Sequence, residues 1–170
     1  MKRRISVALA LALYSTPGLA DPICTKLAWN LEPERALLSA DVQGVQSGTS
    51  LDASQVPAFS LLLAVGTKLP FASQEPVDPA RYSGYVTLRL ASAGDYFVSL
   101  SSEGWIDAIQ DGTGAVSTAH TGDTNCPGLR KSVRFTLTAL PLTLEISGAA
   151  SNRILVAVTR ELVSQLTAPT

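Results

Sequence analysis

Apolar and polar residues alternate along much of this chain from residue 59 onward. "YVTLRLA" sets Val86, Leu88 and Leu90 on one side and Thr87 and Arg89 on the other. "DYFVSLS" does the same with Tyr96, Val98 and Leu100, "KSVRFTLT" with Val133, Phe135 and Leu137, and "LTLEIS" with Leu142, Leu144 and Ile146. A period of two is the repeat of a strand with one buried face, because successive side chains point to opposite sides of a sheet. "FSLLLAV", "WIDAIQ", "AVSTAH" and "RILVAVT" complete a set of eight runs, about ten residues apart. Turn residues separate them: Gly66, the three prolines of "PFASQEPVDPARYSG", Gly94, and "DGTG" after "WIDAIQ". These connections are too short for crossover helices, which disfavours parallel βαβ units. The pattern predicts an all-β fold, an antiparallel β-sandwich or jelly roll of about eight strands spanning residues 59–160, with a tail over 161–170.

Upstream the pattern is weaker. "TKLAWNLEPERALLSA" suits a short helix after Pro33 or an extended segment that packs Trp29 and Leu37. "VQGVQSGTSLDASQVP" reads as loop, and residues 21–58 are expected to form an arm that wraps the domain. The first twenty residues are of a different kind. A basic "MKRR", an apolar "ISVALALALY" and a "STPGLA" that ends in small residues form a secretory signal, with cleavage expected after Ala20. Its apolar run is too short to span a bilayer, so no membrane span is expected once it is removed.

Removing it also takes Lys2, Arg3 and Arg4, leaving ten basic residues against fourteen acidic ones, a net charge of about −4. Such a surface excludes the broad basic footprint of a nucleic-acid or anionic-lipid binder. Export, most simply to a bacterial periplasm, also changes the reading of the two cysteines. Cys24 and Cys126 have one intramolecular pairing, and an oxidising compartment favours it, so a disulfide is expected to tie the arm to the sandwich.

The candidate chemistry is sparse. "AHTGDTNCPGLRK" carries the one histidine of the chain, His120, three residues before Asp123 and six before Cys126. A zinc site takes three or four ligands, and a bridged Cys126 cannot ligate. The stretch is therefore expected to be a stapled inter-strand loop, with Asp123 and Asn125 in turn hydrogen bonds and His120 bonded to a backbone carbonyl. Asp107 and Asp111 offer oxygens to calcium but lack the dense alternating acids of a calcium loop. A Ser-His-Asp triad would need His120, and no Gly-x-Ser-x-Gly elbow is present; a pair of carboxylates remains open as a hydrolytic set. No catalytic residue, metal or cofactor is assigned.

Trp105 and Asp107 share one face of their strand, opposite Ile106 and Ala108. An indole beside a carboxylate is a way to hold a sugar, although burial of Trp105 beneath the arm is the expected outcome, since tryptophan gains most by burial. Arg130 and Lys131 open the following strand. Lys131 shares the face of Val133 and is expected to reach out of the core and pair with Asp107 or Glu103.

Gly94, Tyr96, Trp105, Ile106, Asp107, His120, Gly122, Cys126, Arg130 and Lys131 also form a run of spaced motifs over residues 83–159. In this the chain resembles a group of short secreted proteobacterial proteins that often carry the label homogentisate dioxygenase. Its layout is similar, less specifically, to pre-peptidase C-terminal domains, accessory β-sandwiches of secreted enzymes. The first resemblance implies an iron-dependent ring-cleaving activity; the second implies a binding accessory. The residues themselves favour a non-catalytic secreted or periplasmic module that binds a glycan, an envelope component or a protein. The alternative is an enzyme, an iron-dependent dioxygenase or a carboxylate-based hydrolase. Candidate binding residues are Trp105, Asp107, His120, Arg130 and Lys131. The oligomeric state is left open.

Overall fold

Two antiparallel-rich sheets face each other in the computed structural model, which describes Cys24, residues 26–71 and residues 78–161. The expected signal peptide, nearly all of the tail and part of the proline-rich loop lie outside the described residues. The elements run α1 (Glu32–Ser39), β1 (Gly44–Gln46), β2 (Ser50–Asp52), β3 (Ala58–Leu62), β4 (Ala64–Val65), β5 (Tyr82–Arg89), β6 (Gly94–Leu100) and β7 (Trp105–Gln110). They continue with β8 (Thr113–Gly114), β9 (Ser117–Gly122), β10 (Lys131–Leu137), β11 (Leu142–Ala149) and β12 (Arg153–Arg160). The first sheet has the order β1-β3-β12-β6-β10-β9, the second β2-β5-β11-β7-β8, with β4 also against β5. The fold is the expected all-β sandwich.

Each of the eight runs contains or overlaps a strand, and the count rises to twelve for two reasons. "FSLLLAV" is split at Leu63, where the chain leaves the first sheet as β3 and joins the second as β4. The others, β1, β2 and β8, are two or three residues long, too short to display a period. The stretch read as loop in residues 42–57 thus contributes a rim strand to each sheet, and both pair in parallel: β1 with β3 and β2 with β5.

Between the sheets lies the main core. Phe59, Leu61, Val98, Leu100, Phe135 and Val156 enter from the first sheet, and Val86, Leu88, Ile106, Leu144 and Ile146 from the second. Burial of each such side chain contributes about 1.5–3 kcal/mol. A second, smaller core covers the outer face of the first sheet, where Leu31, Leu38, Cys126 and Leu129 pack with Ala58 and Ala157. That is why β3 and β12 read as nearly continuous apolar runs: both of their faces are covered.

The lid of this second core is the arm. Pro33 sits in the first turn of α1 with Glu32 and Glu34, a favourable start for a helix. Leu38 and Glu34 point inward; the Glu34 carboxylate accepts a hydrogen bond from Thr159 on β12. Trp29 stacks on Phe97 of β6, ring centroids 5.5 Å apart. The disulfide Cys24–Cys126 closes the arrangement, joining the arm to the β9–β10 connection across 102 residues of sequence.

Candidate functional site

The sandwich is open along one side. At that rim β7 and β8 end the second sheet and β9 ends the first. A two-residue turn, Asp111 and Gly112 with φ of 49° and 72°, folds the chain back from β7 into the short β8. Both residues need the left-handed region, which the Asp-Gly pair supplies. The ladder to β7 covers Ile109 and Gln110, and one more bond runs from Ala115 N–H to Ala108 O at 2.7 Å. The chain then crosses through Val116 to β9, where Ser117 pairs with Phe135 and His120 with Val133 of β10. The edge of β7 from Trp105 to Asp107 is left without a neighbour strand among the described residues, facing β9 and β10 across a gap.

That gap is a cavity of about 190 Å³. Ile106, Ala108, Val133 and Phe135 form its apolar floor, and Trp105, Asp107, His120 and Lys131 stand around it. Of the five candidate binding residues, the structure brings these four together. The fifth, Arg130, lines an adjoining cavity of about 370 Å³ with Arg81, Glu103, Ser147 and Gly148; Trp105 and Lys131 belong to the walls of both.

Trp105 is not under the arm, which covers the other sheet. It keeps 36% of its surface exposed at the rim. Its orientation is fixed from two sides. Nε1–H donates to Asp107 Oδ1 at 3.0 Å, and Lys131 Nζ lies 4.8 Å from the ring centroid, a cation–π distance. The Lys131 ammonium also donates to Gly104 O at 3.5 Å. Lys131 begins at a core-facing position, in register with Val133 and Phe135, and its stem carries the charge out to the indole.

Asp107 is buried, and its cross-strand partner on β11 is Glu145, 1% exposed. Burial, helped by the nearby Asp107 carboxylate, raises the pKa of Glu145 above the ordinary carboxylate value; the Phe71 N–H, which donates to Oε1 at 2.8 Å, opposes the rise. Sequence alone left a pair of carboxylates open without naming its members, and Asp107 and Glu145 are two acids that the sheet register brings together. Glu145 does not line the mouth, so the two acids do not flank a bond held there.

His120 is exposed on β9, and its side chain makes no hydrogen bond among the described residues, in contrast to the carbonyl bond expected from sequence. The loop after it is stapled: Asp123 Oδ1 accepts from Asn125 N–H at 2.9 Å, and Cys126 is bonded to Cys24. Gly122 is required by close backbone approach, since a Cβ there would lie 2.7 Å from Arg130 O. No three potential metal ligands of the His, Cys, Asp or Glu type cluster among the described residues. An iron(II) oxygenase site takes two histidines and a carboxylate. The chain has one histidine, so its donor set does not fit that centre.

Arg81 and Ser147 were missed from sequence. Ser147 sits opposite Trp105 on β11, a register that becomes known only once β7 and β11 pair. Arg81 carried no motif.

No family model matches the sequence, and no curated protein matches it. A solved β-glucosidase from Paenibacillus barengoltzii aligns at 16% identity and a TM-score of 0.30, over 69% of this chain and 13% of its own. The chain therefore spans about an eighth of that enzyme, and a likeness this slight carries no argument about fold or function.

Proposed function

We propose that this protein is an exported, non-catalytic β-sandwich module that binds a glycan of the cell envelope at the open rim between its sheets. The setting of Trp105 supports this reading above all. A large apolar ring is held in one orientation at the mouth of a cavity, with its N–H already used by Asp107 and part of its surface left to solvent. A saccharide ring stacks on such a surface through its C–H face while polar groups at the edge take its hydroxyls. A cavity of about 150 Å³ accepts a benzene molecule, so the 190 Å³ mouth has room for one six-membered ring. The disulfide fits an extracellular or periplasmic protein, and no helix among the described residues is long and apolar enough to cross a membrane.

An enzymatic reading draws no support from the same residues. Asp107 is turned to Trp105, Glu145 lies outside the mouth, and His120 has no acid or nucleophile within hydrogen-bond reach among the described residues. The test is intrinsic fluorescence during titration with envelope oligosaccharides. Of the two tryptophans, Trp29 is stacked on Phe97 and Trp105 is at the rim. A saturable change that disappears in Trp105→Ala supports the proposal. A panel of neutral and acidic oligosaccharides that leaves the emission unchanged would overturn it.

A further inference from the structure

Two adjoining cavities meet at Trp105, and the second is chemically unlike the first. Its wall holds two guanidinium groups, Arg81 and Arg130, with Glu103 as its acid, and it shares Lys131, already engaged with Trp105 and Gly104 O, with the first cavity. Among the described arginines, Arg35 pairs with Glu32, Arg89 with Asp52 and Arg134 with Glu161, whereas Arg153 and Arg160 stand without an acid. Arg81 and Arg130 form no ion pair among the described residues.

Ser147 supplies an independent sign. It is 1% exposed, lines this cavity, and its Oγ has no hydrogen-bond partner among the described residues. A buried hydroxyl without a partner costs about 1–3 kcal/mol; one placed on a cavity wall is satisfied by what enters. Gly148, beside it, adopts a φ of 68° and leaves open space where a side chain would stand.

We infer that the two cavities form one cleft bent around Trp105, and that its ligand is an acidic saccharide whose carboxylate is held by Arg81 and Arg130 beside the Ser147 hydroxyl. The inference rests on the glycan reading above and adds charge selectivity to it. Guanidinium groups suit this task because their planar donor fork matches the two oxygens of a carboxylate. Sugar stacking on Trp105 then orients the ring, and the arginine pair selects rings that carry an acid.

The experiment is calorimetric titration of the disulfide-intact protein with oligogalacturonate, with the same oligomer fully methyl-esterified, and with dextran sulfate. The free acid should bind about tenfold or more tightly than the ester, an advantage of the size charge-assisted pairs supply. Arg81→Gln with Arg130→Gln should erase that advantage and leave the ester's affinity in place, and Ser147→Ala should reduce it in part. Equal affinity for acid and ester overturns the charge inference and leaves the glycan reading standing. Failure of both oligomers to bind overturns the charge inference, and the oligosaccharide panel above then decides the glycan reading. Dextran sulfate binding that persists in Trp105→Ala, with no preference for oligogalacturonate over its ester, overturns the inference in favour of unspecific polyanion attraction. Circular dichroism of each variant confirms that the fold is retained.

Discussion

Gly122 and Glu145 are two residues whose surroundings constrain what can replace them. At Gly122 any Cβ meets the Arg130 carbonyl, so β9 and β10 must separate to admit it. Gly122→Ala should therefore lower stability by about 1–3 kcal/mol, the usual range for overpacking, as read by denaturant unfolding. Glu145 answers to pH. Its raised pKa means the folded state holds the proton more tightly than the unfolded chain. Its contribution is whole below the ordinary carboxylate range and is lost as pH rises towards the raised value. Glu145→Gln keeps an acceptor for Phe71 N–H and cannot ionise. Its stability relative to the wild type should increase as unfolding is repeated from about pH 4 upward, and a constant difference would contradict the burial of that charge. Residue-level reading of the sequence went far for Trp105, Asp107, His120 and Lys131, which face one cavity. It failed for Ser147 and Arg81, because a serine or an arginine gains meaning only from what is across the sheet or the cleft from it.

Strands showed themselves in the sequence wherever one face was buried and the other wet, as in β5, β10 and β11. β3 and β12 were visible too, as apolar runs, but nothing in them told which material covered the second face; that cover is α1 and Trp29. The rim strands β1 and β2 were invisible, since three residues carry no period and their partners lie far along the chain. Two substitutions separate the roles of the β9–β10 connection. His120→Ala should change stability by no more than about 0.5 kcal/mol, as for a surface position without special contacts. Cys126→Ser should cost several kcal/mol, since a loop of roughly a hundred residues gains an estimated 4–5 kcal/mol of chain entropy when released in the unfolded state. Urea unfolding of both proteins under non-reducing conditions gives the comparison.

At the scale of the whole molecule, one sheet is covered on its outer face by the arm, and the gap between the sheets opens at the β7–β9 rim. Fold class followed from pattern; the position of the opening did not, because it depends on which edges the topology leaves facing each other. Export remains the premise of the functional reading. Protein collected from the compartment outside the inner membrane should begin at Asp21, as intact-mass spectrometry will show, and an end still carrying Met1 would remove that premise.

The arm does more than roof the second core. Ala28 N–H donates to Thr121 Oγ1 on β9 at 2.8 Å, and Cys24 is bonded just beyond the end of that strand. The wall of the cleft is thus lashed to a segment made near the start of synthesis. In a reducing cytoplasm the lashing is absent, and β9 hangs on the β10 ladder and a few weak bonds. Oxidation of Cys24 and Cys126 tightens it, so that deuterium uptake by β9 amides should slow when the bond forms. On the reading proposed above, the site would be finished only where an oxidant meets the chain.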